Sequence, residues 1–422
     1  MKILYVSQYF PPEMGAPAGR AAELSRLWAD DGHEVTVLTG FPNHPTGVVP
    51  QEYRRKLHRL VLHETYHGVE VVRTWLLPFP NRKAYERMFN YSSFCISSAT
   101  TGAFLEKPDV VIASSPQLLV GLSGWWLARY NGVPFVFEVR DLWPESLAAV
   151  GVSSQKSALH RSLAKIAGFL YRSCDRLVVV TPVFKEYLVE RWQVPEEKVF
   201  VVENGVETSV FSRLVPNIAI RRELGAEERF VVSYIGTLGA AHGLETLLEA
   251  AAHLRESAPN ILFVVVGEGA EKARIVSLAR SRGLTNLRFV DQQPREKIPV
   301  YIAASDVCLV LLKRAELFKT VLPTKMLEFM SCARPVILGV DGHARKVMER
   351  ANAGIFIAPE DPAALAEAVM RLATNPALCE SLGRNGRQHI VRYYARRDTA
   401  KVYLDLLQDL LMREERRTAA AA

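Results

Sequence analysis

The feature that most constrains this chain is a rhythm of short apolar, β-branched runs separated by stretches long enough for a helix. The rhythm stops near residue 203 and then starts again. In the first half, strands are predicted at Lys2–Val6, Glu34–Thr39, Val69–Arg73, Asp109–Ser114, Phe135–Val139, Arg176–Thr181 and Lys198–Glu203. In the second half they are predicted at Phe230–Ile235, Ile261–Val266, Leu287–Val290, Val307–Leu311, Pro335–Leu338 and Gly354–Ile357. Most of these runs are continuously apolar rather than alternating, the pattern of parallel strands buried on both faces. The connections have room for right-handed crossover helices. Leu244, Leu247, Leu248, Ala251 and Leu254, at spacings of three and four, mark one of them. The fold class is therefore α/β, with two doubly wound parallel-sheet domains in tandem.

A length of 422 residues suits that reading, because a single core stops growing well below it. Asn204-Gly205 is a turn signal. The expected division is a first domain over 1–205, a second over 206–397, and a C-terminal helix and tail over 398–422. That helix either packs on its own domain or crosses back to the first. Ligands of open parallel sheets sit beyond the carboxyl ends of the strands. Two such domains facing across a cleft would build a site from the strand-end loops of both.

Composition narrows the function classes. The five cysteines (Cys95, Cys174, Cys308, Cys332, Cys379) are scattered and never spaced as CxxC, which argues against a disulfide framework or a structural zinc site. The apolar run at the start is too short for a signal peptide, and no stretch approaches the ~20 apolar residues of a membrane span. A cytoplasmic location is expected. The net charge of +7 is modest for the length and selects no partner by itself; no nucleic acid is expected. Two segments are locally basic. One carries Lys156, Arg161, Lys165 and Arg172, with Leu159, Leu163, Ile166 and Leu170 at helical spacing; the other runs from Arg87 to Leu105 after Arg82 and Lys83. They admit two readings, an anionic membrane surface met at the inner face of the plasma membrane, or core-facing helices with solvated lysines.

Several strand-end loops have the residues for anion chemistry. Phe10-Pro-Pro-Glu13-Met-Gly15-Ala-Pro-Ala-Gly19-Arg20 follows the first strand and opens a helix. Its glycines would let backbone amides approach an anionic group at a helix N-terminus. Gly236-Thr237-Leu238-Gly239-Ala-Ala-His242-Gly243 repeats that arrangement in the second half, with His242 as an added donor or positive charge. Gly267-Glu268-Gly269 ends the next strand, where a glycine would admit a nucleobase or ribose.

The richest segment is Phe318-Lys319-Thr320-Val-Leu-Pro323-Thr324-Lys325-Met-Leu-Glu328. Pro323 and Thr324 start a helix, which puts Lys325 in its first turn. There a cation opposes the helix dipole and needs an anionic partner. Glu328 offers two acceptor oxygens, a match for vicinal ribose hydroxyls. The alternative is a plain Lys325–Glu328 pair. In the first half, Glu138-Val-Arg140-Asp141-Leu-Trp143-Pro-Glu145 crowds a strand end. Arg140 could hold a phosphate by its fork, and Asp141 could orient Arg140 or accept a proton. The alternative is an Arg140–Asp141 ion pair under the Trp143 ring.

Taken in order, Val202-Glu-Asn204-Gly205-Val206, the Gly236 loop, Gly267-Glu-Gly269, Asp306 after Ala303-Ala-Ser, and Pro323-Thr-Lys-Met-Leu-Glu328-Phe-Met-Ser-Cys-Ala-Arg-Pro335 resemble the retaining GT-B glycosyltransferases of family four. The resemblance runs from Met1 to about Leu410. It looks closest to the branch that adds fucosamine-like or fucose-like sugars in O-antigen, capsule and colanic acid assembly, where Glu138-Val-Arg-Asp-Leu-Trp-Pro-Glu-Ser is typical.

The resemblance implies two Rossmann-like domains and metal-independent hexosyl or acetamidohexosyl transfer with retention. A nucleotide diphosphate-sugar serves as donor and no further cofactor is needed. The acceptor is a saccharide, expected to be linked to polyprenyl diphosphate in lipopolysaccharide, capsule or exopolysaccharide biosynthesis. On this reading Gly15, Gly236, Thr237, Leu238, His242, Gly267, Glu268, Lys319, Thr320, Lys325 and Glu328 bind the donor. Arg140, Asp141 and Glu13 act at the reaction, and Arg20, Trp143 and Glu145 meet the acceptor. No metal ligands are expected.

The chain departs from the family pattern in several places. The first Glu of the Glu, seven residues, Glu motif is Thr320, the diphosphate-binding Arg and Lys fall on Thr237 and His242, and a His-Asp pair becomes Arg140-Asp141. Lys319, Lys325 and Arg140 are the cations available to replace the missing charge. A nucleotide-sugar epimerase, or a silent sugar-nucleotide-binding partner in an assembly complex, are the alternative functions.

Overall fold

Strand β1 (Lys2–Ser7) runs parallel to β2 (Glu34–Gly40) on one side and to β5 (Val110–Ser114) on the other, pairing Ile3 with both Val35 and Val110. Every residue from Ile3 to Ser7 is buried, as a strand covered on both faces requires. The computed structural model describes residues 1–44, 47–79, 84–146, 157–214 and 218–421. The chain forms two compact units, Met1–Asn204 together with Arg397–Ala422, and Gly205–Arg396.

The sheet of the first unit adds β3 (Val61–Tyr66), β4 (Val69–Thr74), β6 (Phe135–Val139), β7 (Arg176–Val179) and β8 (Val199–Val201), in the order β3-β4-β2-β1-β5-β6-β7-β8. All pairings are parallel except β3 with β4. Strand β3 was not expected because His63-Glu64-Thr65 is an unbroken polar run; it is an edge strand whose single buried residue is Leu62. Its hairpin to β4 turns through His67 and Gly68, both at positive φ (46° and 81°), the combination of a two-residue I′ turn. Strand β7 stops at Val179, two residues short of the expected end. Thr181 instead caps the helix Pro182–Trp192, its side chain accepting from the Phe184 amide at 3.1 Å.

The C-terminal helix Arg396–Ala421 packs into this first unit. Tyr403, Leu404, Leu407 and Leu410 recur at helical spacing and share a buried cluster with Tyr5, Leu24 and Trp28. The Trp28 indole donates to the Ala400 carbonyl at 3.1 Å, and the Tyr403 ring meets it edge-on with centroids 5.2 Å apart. Each buried leucine contributes about 1.5–3 kcal/mol.

The second unit holds six parallel strands, β9 (Phe230–Ile235), β10 (Ile261–Val266), β11 (Leu287–Val290), β12 (Val307–Leu311), β13 (Val336–Gly339) and β14 (Gly354–Phe356), in the order β11-β10-β9-β12-β13-β14. Val231 and Ile235 of β9 belong to the core on one face, while Val232 and Tyr234 belong to the core on the other, as the two-residue period of a strand demands.

Of the two basic segments, the described parts are the helices Ala84–Gly102 and Ala158–Ser173. Leu163, Leu170, Tyr91 and Phe94 are buried, and Arg161, Lys165 and Arg172 are exposed. Arg82, Lys83 and Lys156 lie outside the described residues. No described helix is long and apolar enough to cross a membrane.

Candidate active site

The helix Thr324–Ser331 begins where the extended loop at Pro323 ends, and it buries Met326, Leu327, Phe329 and Met330. Lys325 is left half-buried at its first turn. Its Nζ donates to the Tyr234 hydroxyl at 2.9 Å and lies over the Tyr234 ring, 4.1 Å from the centroid. The Tyr234 hydroxyl in turn donates to the Thr237 carbonyl at 2.8 Å. The hydroxyl is thereby saturated by neighbours, and two of the three ammonium donors make no hydrogen bond to the described residues. Burial pushes the Lys325 ammonium down to about 7, with the Glu328 carboxylate opposing.

Glu328, only 9 % exposed, does not pair directly with Lys325. It accepts from Arg295 Nη1 at 3.1 Å, and Arg295 also lies over the Phe211 ring, 5.0 Å from its centroid. The plain Lys325–Glu328 pair is thus not formed.

Gly236 ends β9 at φ 144°, and a Cβ built there would lie 2.8 Å from Lys325 Nζ. The glycine makes room for the amine. Gly267 and Gly269 each meet a neighbouring backbone closely. A Cβ at Gly267 would meet the Gly236 carbonyl oxygen at 2.0 Å, and one at Gly269 would meet the Leu238 carbonyl oxygen at 2.3 Å. These glycines let the two loops pack on each other. The Gly236 and Leu238 amides are likewise taken, by the Val266 and Glu268 carbonyls at 2.9 and 2.8 Å. The amides of Thr237 and Gly239 make no hydrogen bond within the described residues.

His242 sits half-buried behind this loop, its ring 6.0 Å from that of Tyr234. Burial, reinforced by the nearby Lys325 charge, pushes its imidazolium down to about 3. Of the two expected roles, donor or positive charge, this environment disfavours the charge. Glu268 is engaged by Lys272, which also reaches Asp291. Lys319 is exposed and pairs with Glu316 at 2.7 Å, and the Thr320 hydroxyl donates to the Leu317 carbonyl at 2.6 Å. Of the two lysines expected to supply charge in this unit, Lys325 is the one tied to a strand end, through Tyr234.

In the first unit, Gly15 precedes the helix Ala16–Asp30 at φ 139°. The Arg140 guanidinium reaches that helix start, donating to the Ala16 carbonyl at 3.1 Å, while its own amide is fixed by Ser115 Oγ at 2.8 Å. The Gly15 loop and Arg140 are thus brought together. Glu13 is buried, its carboxylate accepting from the Asn43 and His44 amides at 2.8 and 2.9 Å. Burial outweighs those bonds and pushes its carboxyl up to about 7. Asp141 is raised to about 6 by burial, with the nearby Arg140 charge opposing.

Three expected acceptor contacts are occupied otherwise. Arg20 is a core residue, its guanidinium held at 2.7 Å by Glu138, with both side chains fully buried, and donating to the Val202 and Glu203 carbonyls. Trp143 is only 6 % exposed and packs edge-on to Tyr91, with ring centroids 6.0 Å apart. Glu145 accepts from the Tyr187 hydroxyl at 2.8 Å.

Residues 217–389 match the family of glycosyl transferases group 1, and residues 15–205 match the glycosyl transferase 4-like domain. The chain is a glycosyltransferase, its two halves matching two glycosyl transferase models. It is 25% identical over 353 residues to the putative colanic acid biosynthesis glycosyl transferase WcaI of Escherichia coli, covering 81% of this chain and 84% of that one. Among solved structures, the sucrose-phosphate synthase of Thermosynechococcus elongatus superposes with a TM-score of 0.76 at 21% identity, over 97% of this chain and 99% of that one. Anabaena HepE in complex with UDP-glucose superposes with a TM-score of 0.73 at 16% identity, over 97% of this chain and 100% of that one. The fold is GT-B, built from two parallel-sheet α/β domains.

In this glycosyltransferase the site residues that sequence reasoning missed are Tyr234 and Arg295. Tyr234 reads as one more apolar strand position, and only its place one residue before the strand's end hints at a polar tip. Arg295 lies in the polar stretch Asp291-Gln-Gln-Pro-Arg295-Glu-Lys, where nothing local sets it apart from a solvated arginine.

Proposed function

We propose that this enzyme transfers a hexosyl or acetamidohexosyl group from a nucleoside diphosphate-sugar, with retention, to a saccharide acceptor carried on a lipid. The observation that carries the donor half is the Lys325 ammonium, which has two unsatisfied donors, a helix N-terminus behind it and no ion pair to a described carboxylate. A diphosphate supplies the missing anion, and the Thr237 and Gly239 amides lie on the loop beside it. Glu328, oriented by Arg295, accepts from the ribose hydroxyls. HepE, which shares the fold, is solved with UDP-glucose, which supports a nucleotide-sugar as the donor.

In the reaction, the bond from the anomeric carbon to the diphosphate oxygen breaks and a bond to the acceptor oxygen forms on the same face. The departing diphosphate carries the electron pair, and Lys325 stabilises its growing charge without a divalent ion. Asp141, with its carboxyl raised, takes the acceptor proton, while Arg140 steers the acceptor. The retaining course rests on the family resemblance, and a role in surface polysaccharide assembly rests on the likeness to WcaI.

A specific surface supports a lipid-linked acceptor. The helix Val120–Asn131 packs beside Ala84–Gly102 and contacts Ala158–Ser173 through Trp125 and Phe169, whose rings lie 4.9 Å apart. These helices expose Ile96 and a stacked Trp126–Tyr130 pair, and the turn after Gly102 exposes Phe104 (91 %), with Arg129, Arg161 and Lys165 also exposed. Aromatic and basic side chains together fit an anionic lipid interface.

The test is a panel of nucleotide-sugars incubated with the enzyme, with and without polyprenyl diphosphate-linked saccharides. Transfer to the lipid acceptor is expected. Isomerised donor without acceptor would assign an epimerase, and donor binding without product from any acceptor would assign a silent binding partner. Co-sedimentation with anionic vesicles that persists in low salt and fades in high salt is expected; none at either salt removes the membrane surface.

A further inference from the structure

At the amino-terminal edge of the second unit's sheet lies a cavity of about 340 Å3. It is bounded by Phe230, the first residue of β9, by Asp306, just before β12, and by Pro335, just before β13. The proposed donor groups follow the carboxyl ends of the same sheet. The two places are thus separated by about a strand length, roughly 17–20 Å.

The charge in this cavity is unbalanced. Arg213, Arg334 and Arg384 line it, against Asp306 and Glu380. Asp306 is already committed, with Oδ2 accepting from Arg221 at 2.5 Å and from the Val231 amide at 2.7 Å. Glu380 stands 3.9 Å from both Arg213 and Arg384, beyond hydrogen-bond reach of either. Arg334 donates through Nη2 to the Ala303 carbonyl at 2.8 Å, yet its Nε is buried with no partner. A guanidinium carries five donors in a rigid plane; with Nη2 on Ala303 and Nε shielded from any water-sized group, Nη1, which makes no hydrogen bond to the described residues, is the nitrogen left for a ligand in the cavity. Leu372 and Ala373 add an apolar wall, so the space suits an anionic group attached to a compact body. Its volume matches about ten water-sized groups.

We propose that this cavity is a second ligand site of the enzyme, taking a small phosphate monoester whose phosphate is gripped by Arg334, Arg213 and Arg384. Arginine forks match phosphate oxygens in pairs, and the apolar wall holds the esterified group.

The probe is phenyl phosphate, titrated calorimetrically into the full chain carrying Lys325→Ala, so that the other edge of the sheet offers no free ammonium. Saturable binding at millimolar or tighter Kd is expected, at least tenfold weaker after Arg334→Gln, with no binding of phenol. Should Arg334→Gln fail to fold, the double variant Arg213→Gln/Arg384→Gln, on the exposed rim, must show the same loss. Absence of saturable binding, or equal affinity in the arginine variants, overturns the site. Neither probe nor background depends on the transfer reaction, so failure here is separate from failure of the donor assignment.

Discussion

Lys325 and Tyr234 form a pair in which the ammonium both donates to the phenol oxygen, at 2.9 Å, and rests over the ring of the same residue, 4.1 Å from its centroid. A cation over an aromatic face is held without being neutralised. The arrangement positions the charge while leaving it available, which an ion pair with Glu328 would not.

Replacing Lys325 with Ala is expected to lower kcat/KM about 100- to 1000-fold, the usual loss when one charge-stabilising group is removed from a transition state. Lys325→Met, which keeps the volume without the charge, should at the same time raise folding stability by about 1–2 kcal/mol, because an uncompensated half-buried charge is removed. Initial rates and thermal melts of the two variants check both halves. Undiminished turnover would remove Lys325 from the mechanism.

The same lysine gives a pH signature. Its folded-state value is about 7, against 10.5 when unperturbed, so between those values the unfolded chain binds more protons. Lys325 therefore makes stability rise with pH across that window, and the difference between wild type and Lys325→Met should shrink towards its upper end. A bound diphosphate raises the lysine's pKa, so binding of a nucleoside diphosphate takes up a proton above pH 7. Affinity should fall as pH increases from 7 to 9, by up to about tenfold per unit. Calorimetry in buffers of different ionisation enthalpy measures the proton directly.

Arg295 orients Glu328 and touches no proposed reacting atom. Arg295→Ala is expected to raise the donor KM about tenfold with kcat little changed, the pattern of lost binding rather than lost chemistry. Glu328→Gln should raise KM further, since hydrogen bonds to a charged acceptor are worth roughly 1.5–3 kcal/mol. An equal fall in kcat for Arg295→Ala would contradict the positioning role.

Gly267→Ala should destabilise the second unit by about 3 kcal/mol or more. The added Cβ would stand 2.0 Å from the Gly236 carbonyl oxygen, at a φ of 149° that side chains rarely adopt. Denaturant unfolding measures the loss; a variant as stable as the parent would show that the loops do not depend on that contact.

Glu13 titrates in the opposite sense to Lys325. Its carboxyl is raised from 4.5 to about 7 by burial, so the folded state holds the extra proton between those values. Stability from this group is present below about 4.5 and is lost as pH rises through 7. Glu13→Gln keeps an acceptor for the Asn43 and His44 amides and should flatten that part of the stability profile.

What the sequence determined by itself is set by local physics. Continuous apolar runs such as Val264-Val-Val can only be strands covered on both faces, and a lysine directly after Pro323-Thr324 must sit in a helix's first turn beside a dipole that opposes it. The segment Val61–Tyr66 escaped because an edge strand needs little burial, and the polar run His63-Glu64-Thr65 gives no apolar signal of either period.

What only the tertiary structure decided is pairing across distance. Arg295 lies 33 residues before Glu328, and Tyr234 lies 91 residues before Lys325; no local pattern marks either partner. Arg20, attractive as a contact in a glycine-rich loop, is instead sealed against Glu138, 118 residues away. Desolvation and long-range hydrogen bonding depend on which strands lie side by side, and that arrangement is a property of the folded sheet.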